Sequence, residues 1–221
     1  MSVSKTNLET RIAQALIRIG AVGFKPENPI TFKSGIISPV YVDNRRFPFY
    51  SAEWKLVVEG FRELIIKDEI DFDVLAGIET AGIPHSAALG YAMDKPSVFV
   101  RKKVKDHGTK SRIEGGQVKD KKVLLIEDLV TTGGSSLAGV EALRADGAIV
   151  NDCLIIVGYG FEEATSAFAA AKVKLHALTN FSIILEEALK QKLFTAEQKL
   201  ILENWFQDPW GWGKRYGHDV S

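Results

Sequence analysis

The run from Val123 to Ser136 places two carboxylates and a cluster of small polar residues after an apolar segment. It reads Val-Leu-Leu-Ile-Glu-Asp-Leu-Val-Thr-Thr-Gly-Gly-Ser-Ser. The four apolar residues predict a strand in the middle of a sheet, and Glu127 and Asp128 follow at its end. The hydroxyls and glycines of residues 131–136 lead into a helical pattern, whose first amides and dipole attract a phosphate. Because the carboxylates can accept hydrogen bonds from neighbouring hydroxyls, the run predicts a site for a sugar phosphate.

The spacing of this run excludes the common nucleotide-binding loops. No lysine follows Gly134, as a P-loop requires, and the glycines do not repeat as G-x-G-x-x-G. Dinucleotide folds place their acidic residue about 20 residues after the glycines, whereas here the acids come directly before them. This order suits a compact ligand with vicinal hydroxyls beside a phosphate, such as a ribose 5-phosphate. The alternative is an ordinary capped turn, but unpaired acids at the end of a central strand are costly without a ligand or metal.

Alternating strands and helices are needed to bring such a run to the edge of a sheet, and the hydrophobic pattern predicts them. Strands are predicted at 29–32, 39–42, 72–78, 97–100, 123–126, 149–157 and 173–178. Helices are predicted at 8–19, 51–67, 82–93, 135–146, 162–171, 182–190 and 195–206. The order predicts an α/β fold with an open, mostly parallel sheet covered by helices on both faces. We expect one domain over 1–221, with an N-terminal hood (1–45), a core (46–190) and a C-terminal helix with an aromatic tail (191–221).

Composition narrows the class of protein. The chain of 221 residues has zero formal net charge, so nothing in its global charge points to nucleic acid or a membrane surface. Its one cysteine, Cys153, lies in an apolar run and predicts a buried, reduced thiol. No N-terminal stretch resembles a signal peptide, and no apolar run is long enough for a transmembrane helix. We therefore expect a cytoplasmic protein that binds neither nucleic acid nor membrane.

Three further strand ends are informative, because ligands of open parallel sheets bind beyond the carboxyl ends of the strands. Residues 79–84, Glu-Thr-Ala-Gly-Ile-Pro, form a short turn whose amides could hold a second phosphate, although a plain tight turn is the alternative. Residues 101–112 are rich in basic side chains and predict a mobile lid over a polyanion. A solvated charge run is the alternative there, and nucleic-acid binding is less favoured because no aromatic residues interleave the cations. Tyr159-Gly160-Phe161 is a poor dinucleotide signal, but Tyr159 or Phe161 could form a pocket wall on which a planar ring stacks.

These stretches together resemble the type I phosphoribosyltransferases. The run from Val123 to Ser136 resembles their phosphoribosyl pyrophosphate signature. The match to the orotate enzymes of this family covers roughly residues 5–190. It rests further on Thr-Phe-Lys-Ser-Gly (31–35), Ser-Pro-Val-Tyr (38–41), Asp-Asn-Arg (43–45), Gly-Ile-Glu-Thr-Ala-Gly-Ile-Pro-His (77–85), Arg-Lys (101–102), Lys-Asp-His-Gly (105–108) and Ile-Glu-Gly (113–115).

The resemblance implies a role for each matching residue. Glu127 and Asp128 would bind the ribose hydroxyls, and the loop that continues through Leu129 and Val130 would hold the 5-phosphate. The 5-phosphate cradle would comprise Thr131, Thr132, Gly133, Gly134 and Ser135. The pyrophosphate would be bound by Thr80, Ala81, Gly82, Lys33, Arg101, Lys102, Lys105 and His107. Lys33, Thr131 and Tyr159 would approach orotate, and Lys105, His107 and Asp128 would be the catalytic set.

The implied reaction transfers ribose 5-phosphate from phosphoribosyl pyrophosphate to orotate, giving orotidine 5'-monophosphate and pyrophosphate in pyrimidine biosynthesis. The implied cofactor is Mg²⁺, held mainly through the substrate. A homodimer is also implied, with each lid reaching the neighbouring site. The alternatives are the same transfer to another base, such as a purine, and a non-catalytic regulator that senses phosphoribosyl pyrophosphate.

Two positions depart from the family pattern. Many members carry a lysine in the second phosphate turn where this chain has Ala81. Some hold orotate with an arginine after the fourth strand end, where this chain has Tyr159-Gly160-Phe161. The base is therefore less firmly implied than the chemistry. The tryptophan-rich tail, residues 205–213, has no counterpart in the resemblance, and we expect it to pack on the domain or at a dimer contact.

Overall fold

The computed structural model describes residues 7–103 and 111–218. Within them, a six-stranded sheet has the order β10-β9-β8-β5-β6-β7. Its strands are β5 (Val74–Ile78), β6 (Ser97–Val100), β7 (Ile113–Glu114), β8 (Val123–Val130), β9 (Asp152–Gly158) and β10 (Lys174–Asn180). All neighbours are parallel except β6 and β7, which pair antiparallel. The predicted open, mostly parallel sheet is confirmed.

Helices cover both faces of this sheet. They are α1 (Leu8–Arg18), α2 (Ser51–Lys67), α3 (Gly82–Met93), α4 (Gly134–Ala145), α5 (Glu162–Ala170), α6 (Phe181–Lys190), α7 (Ala196–Gln207) and α8 (Trp212–Arg215). Successive residues of β8 alternate between the faces, as the pleat of a strand requires. Leu124 packs in a core built with α1 and α2, and Leu125 packs in a second core with α4 and α5. No described helix is long and apolar enough to cross a bilayer.

The segment before α2 forms the hood that lies over the sheet edge. Two small antiparallel pairs build it, β1 (Val22–Phe24) with β4 (Val40–Val42) and β2 (Ile30–Thr31) with β3 (Ile37–Ser38). A 3-10 helix, Asn44–Phe49, then leads into α2. The expected hood spanned residues 1–45, but α1 packs in the core with Leu124, so the two small pairs after α1 form the hood.

The aromatic tail packs against this hood. Trp205 and Trp212 are fully buried in a third core that contains Ile36 and Ile37 of the hood. The indole N–H of Trp205 donates to the main-chain carbonyl of Ile37 over 2.9 Å, across 168 positions of sequence. Within this one chain, the tail therefore stabilises the hood.

The structure corrects the end of the central strand. The prediction ended this strand at Ile126, but β8 continues to Val130 and includes both acids. It continues because β9 runs alongside, pairing Leu129 with Val157 and Val130 with Gly158. On the other side the pairing with β5 ends at Ile126. The acids therefore stand on a strand with one free edge, rather than in a loop beyond it.

Smaller differences between the predicted and observed elements concern the start of β9 and several short elements. The strand predicted from residue 149 begins as β9 at Asp152, since Ile149 makes only an isolated bridge to Lys122 and the next two residues are irregular. The sequence pattern also missed β1, β3, β7, the 3-10 helix and α8. Each is six residues or shorter, too short to show the periodicity on which the prediction relied.

Candidate active site

A cavity of about 730 Å³ opens at the carboxyl ends of β5, β6 and β8. The hood closes one side of it, and the first turn of α4 closes another. The walls bring together four segments that are far apart in sequence. The lining residues are Phe32, Lys33, Ser34, Val42, Asp43, Arg45, Glu79, Thr80, Ala81, Lys102, Lys103, Arg112, Glu127, Asp128, Leu129, Val130, Thr131, Thr132, Gly133, Gly134, Ser135, Ser136 and Ala138.

The acid pair lies at the base of this cavity. Glu127 is 6% exposed, and its carboxylate accepts the main-chain N–H of Asp128 over 3.0 Å. Burial raises the pKa of the Glu127 carboxyl well above its usual range, and the adjacent Asp128 charge raises it further. Burial also raises the pKa of Asp128. Two desolvated carboxylates side by side are unfavourable in the empty site, and this suits a ligand that brings hydrogen-bond donors or positive charge.

The loop after the acids presents unused backbone donors. Gly133 caps α4 with φ at +87°, and no side chain caps the first amides of the helix. A Cβ at this position would also come within 2.9 Å of the Phe168 ring, so only glycine fits without a shift. The free amides of the first helical turn face a cavity lined by Thr131, Thr132 and Ser135. This arrangement is suited to a phosphate.

A second turn lies beside the first, after β5. The peptide bond between Glu79 and Thr80 is cis, and α3 begins at Gly82 without a side-chain cap. A Cβ on Gly82 would come within 2.4 Å of the Ile126 carbonyl oxygen, so the turn packs directly on β8. Thr80 and Ala81 line the cavity. Gly82 does not line it, but its lack of a side chain lets the turn pack closely against β8. Two sets of backbone amides therefore share one cavity.

Cations from three segments face the same space. Lys33 and Arg45 come from the hood and the 3-10 helix, and Lys102, Lys103 and Arg112 come from both ends of the basic segment. Glu79 accepts the main-chain N–H of Lys102 over 2.7 Å, which fixes the start of that segment against the second turn.

Three predicted site residues do not line the cavity. Arg101 lies just outside, with its guanidinium 3.7 Å from the Glu114 carboxylate. Gly82 packs on β8, as described above. Tyr159 is 1% exposed, so it is not the pocket wall that the sequence predicted.

The physical reason for the position of Tyr159 is the aromatic core beneath the hood. Its ring stacks on Phe181 at 5.1 Å, and Phe32 meets it edge-on at 5.5 Å. Phe32 lines the cavity, so Tyr159 supports that ring from behind. Lys105 and His107 lie outside the described residues.

Several cavity residues were not predicted: Asp43, Arg45, Glu79, Lys103 and Arg112. The stretch Asp43-Asn44-Arg45 contributed to the resemblance, but no pattern in the sequence showed that the hood folds over the acids. Arg45 is held by Asp43, with 2.6 Å between guanidinium and carboxylate. Arg112 and Lys103 belonged to a basic run in which the sequence did not distinguish one cation from another.

Comparison with known proteins agrees with this geometry. The family described as "Phosphoribosyl transferase domain" matches residues 53–158. Orotate phosphoribosyltransferase of Coxiella burnetii is 39% identical over 93% of this chain and 99% of its own length. The crystal structure of orotate phosphoribosyltransferase from Aeropyrum pernix has a TM-score of 0.70 at 30% identity, covering 81% of this chain and 98% of that one. The Mycobacterium tuberculosis enzyme in complex with 5-phospho-alpha-D-ribosyl 1-diphosphate has a TM-score of 0.63 at 26% identity, covering 80% and 99%.

Proposed function

Because the chain belongs to the orotate phosphoribosyltransferases, we propose how its own residues perform the transfer that defines that family. The enzyme transfers ribose 5-phosphate from phosphoribosyl pyrophosphate to orotate, and orotidine 5'-monophosphate and pyrophosphate are the products. This reaction belongs to pyrimidine biosynthesis. One observation carries the assignment of roles: the buried acid pair and two uncapped helix starts, those of α3 and α4, line or adjoin one cavity.

In this proposal the activated sugar lies between the two turns. The amides at the start of α4, with Thr131, Thr132 and Ser135, hold the 5-phosphate. Glu127 and Asp128 accept hydrogen bonds from the ribose hydroxyls. Thr80 and Ala81 of the second turn then face the pyrophosphate, together with Lys33, Lys102 and Lys103. Each charged part of the substrate thereby meets donors or charges that are already in place, and so little reorganisation is needed during the reaction.

The reaction requires departure of pyrophosphate from the anomeric carbon. The bond from that carbon to the pyrophosphate oxygen breaks, and a bond to the ring nitrogen of orotate forms. Negative charge grows on the leaving group while positive charge grows on the ribose. Lys33 and Lys102 stabilise the negative charge on the leaving group. The carboxylates of Glu127 and Asp128 stabilise the positive charge on the ribose. The ring nitrogen of orotate is acidic enough to attack without a strong protein base, so neither acid needs to remove a proton.

The basic segment supplies further cations in this proposal. Lys105 and His107 come from its central part and act on the departing pyrophosphate, and Arg101 supports them from the segment's start. Exclusion of water from the site strengthens the contacts between these cations and the pyrophosphate, because the surrounding medium then screens the charges less.

The residues present fit a Mg²⁺ ion that is held mainly by the substrate. Among residues 7–103 and 111–218, no group of three or more histidine, cysteine or acidic side chains forms a metal cage. Mg²⁺ commonly binds through one or two carboxylates together with substrate phosphates, and Glu127 and Asp128 supply such carboxylates. The bound ion would neutralise charge on the pyrophosphate.

The base is placed by the hood. Lys33 and Phe32 line the cavity on the hood side, with Thr131 across from them. Lys33 pairs with the orotate carboxylate, and the Phe32 ring provides the apolar surface that the sequence had assigned to Tyr159. Since Tyr159 packs behind Phe32, it controls the position of that ring rather than touching the base.

We also propose a homodimer in which the basic segment of one subunit serves the partner's site. Mixing an inactive Lys105→Ala variant with an inactive Asp128→Asn variant tests this arrangement. Shared sites restore activity, since some dimers then contain one intact site. A mixture that stays inactive although native mass spectrometry shows mixed dimers contradicts the proposal.

An assay with four bases tests the activity itself. Purified protein is incubated with phosphoribosyl pyrophosphate, Mg²⁺ and either orotate, uracil, hypoxanthine or adenine. Of the four bases, we expect only orotate to be turned over. We expect this turnover to be lost when a chelator removes the metal. Turnover with a purine in place of orotate would contradict the proposed base contacts, and full activity in chelator would contradict the metal role.

A further inference from the structure

Two arginines lie opposite each other, one just after the end of β6 and the other just before the start of β7. The main-chain N–H of Arg101 donates to the carbonyl of Arg112 over 2.9 Å, which extends the ladder by one pair beyond Val100 and Ile113. Directly opposed residues of an antiparallel pair lie on the same face, and like charges in such positions repel. The Glu114 carboxylate lies 3.7 Å from Arg101 and compensates that charge. Arg112 turns instead towards α4.

The guanidinium of Arg112 is fixed without a carboxylate. Its Nε donates to the Arg101 carbonyl over 2.7 Å, and one terminal nitrogen donates to the Ala138 carbonyl over 3.1 Å. Among the residues that the structure describes, no carboxylate forms an ion pair with it. The guanidinium carries further N–H groups beyond these two bonds. Partly buried charges are normally paired, so this arrangement leaves a cation prepared for an anion.

Arg112 lies on the α4 side of the cavity. Arg112 and Ala138 both line the cavity, and Ala138 lies one turn after Ser135 on α4. The start of α4 offers backbone amides and hydroxyls but no charged side chain of its own. Arg112 is therefore tied to the helix whose first turn holds the 5-phosphate in the proposed function.

We propose that Arg112 binds the 5-phosphate of the substrate and supplies the charge that the α4 loop lacks. This inference rests on the proposed function. An arginine binds a phosphate through a planar, two-pronged set of N–H groups, which a lysine cannot reproduce. The two carbonyl bonds hold that set in place before the ligand arrives, so little side-chain entropy is lost on binding.

Calorimetric titration of separate ligand fragments tests the proposal. Ribose 5-phosphate and magnesium pyrophosphate are titrated into wild-type protein, Arg112→Ala and Arg112→Lys. Loss of a charge-assisted contact raises the Kd for ribose 5-phosphate by about 10- to 100-fold in Arg112→Ala. The Kd for pyrophosphate stays within about threefold. Arg112→Lys keeps the charge but not the geometry, so its Kd falls between those of wild type and alanine.

Arg144→Ala is the matched control. Arg144 stands near the other end of α4 and likewise donates to two main-chain carbonyls, those of Ala171 and Val150, at 2.9 and 2.6 Å. It does not line the cavity, so its variant loses similar bonds without losing ribose 5-phosphate affinity. Thermal unfolding of both alanine variants shows whether either change disturbs the fold.

The outcomes separate this inference from the proposed function. Unchanged ribose 5-phosphate affinity in Arg112→Ala overturns the inference, as does a loss confined to pyrophosphate. Either result leaves the reaction itself in place, because turnover of orotate by the wild-type protein is measured separately. Wild-type protein that neither binds ribose 5-phosphate nor turns over orotate would overturn both.

Discussion

The side-chain amide of Asn44 donates to the main-chain carbonyl of Asp128 over 3.0 Å. The carbonyls of alternate residues on a strand point towards the same neighbouring strand. The Lys122 carbonyl points towards β5, because it accepts main-chain N–H groups from residues at the start of that strand. The Asp128 carbonyl therefore faces the β5 side, where the pairing has already ended at Ile126. Fully buried Asn44 takes the place of the missing strand, and in this way the 3-10 helix supports the acid pair.

Replacing Asn44 is expected to weaken the fold and the binding of the sugar together. Asn44→Ala leaves the Asp128 carbonyl without its donor, at a cost of about 1–3 kcal/mol in the free energy of unfolding. The KM for phosphoribosyl pyrophosphate rises more than that for orotate, because the acids contact the sugar in the proposed function. Denaturant unfolding and steady-state kinetics measure the two effects. Asn204→Ala removes a half-buried amide whose hydrogen bond to Tyr216 is exposed, and it serves as the control. Equal stability of the two variants would count against this role.

Neutralising Glu127 is expected to stabilise the empty protein while abolishing its function. The folded protein raises the pKa of Glu127, so this group favours folding only below its unfolded pKa and loses that contribution as pH rises through the folded pKa. Glu127→Gln should therefore raise Tm at pH 7, by the equivalent of ~1–2 kcal/mol. This advantage should diminish towards pH 4. Calorimetry should find no uptake of phosphoribosyl pyrophosphate by the variant.

Glu187 provides the opposite control. Hydrogen bonds from Lys190 and Gln14 lower the pKa of this carboxyl, so its contribution to stability is present at neutral pH and is lost on acidification. Glu187→Gln should therefore lower Tm at pH 7, with little difference left in acid. If both variants shifted Tm in the same direction with pH, the assignment of a strained acid pair would be wrong.

Lys105→Ala is expected to lower turnover far more than it weakens substrate binding. In the proposed function this lysine acts where charge develops on departing pyrophosphate, and loss of one such contact costs about 3 kcal/mol, or ~100-fold in kcat. Steady-state kinetics separate kcat from KM for each substrate. Lys55→Ala, which removes an exposed lysine paired with Glu59 on α2, should leave both constants unchanged. A raised KM with unchanged kcat in Lys105→Ala would assign this lysine to binding alone.

A methyl group on Gly82 is expected to displace the second turn. Alanine is the better helix former by roughly 0.5–1 kcal/mol, but its Cβ would come within 2.4 Å of the Ile126 carbonyl oxygen. The backbones of the turn and of β8 cannot move apart without a cost in free energy, so the turn is displaced. We expect kcat/KM for phosphoribosyl pyrophosphate to fall by up to about 100-fold as a result. At Gly116 an added Cβ meets only Val98 at 3.4 Å. Gly116→Ala should retain activity, and equal activity of both variants would contradict the close packing.

The sequence predicted what depends on local pattern. Buried strands such as β6 and helices such as α2 and α3 have the predicted bounds, because apolar periodicity and flanking turn residues determine them. The acids and the loop after them were found because their chemistry lies within one continuous run. Arg45, Glu79 and Arg112 were missed as site residues because their roles arise only when the hood, β6 and β7 meet at the cavity. Tyr159 was misplaced because nothing local indicates that the tail covers it.

The Trp205 indole is expected to stabilise the hood through its one hydrogen bond as well as through packing. Trp205→Phe keeps most of the ring but leaves the buried Ile37 carbonyl without a donor, which costs about 1–3 kcal/mol. Trp210→Phe removes an exposed indole bond to Glu163 and should cost less than about 1 kcal/mol. Chemical denaturation measures both. A Trp205→Phe variant as stable as Trp210→Phe would show that the hydrogen bond is dispensable.

The contact between Trp205 and Ile37 also constrains the order in which the enzyme matures. The hood is synthesised first, but the side chains that cover it emerge from the ribosome after the whole sheet. Contacts so distant in sequence form slowly, since a long loop must close before they are made. Phe32 and Lys33 therefore acquire their final positions late, and the hood side of the cavity is completed only after the sheet has assembled.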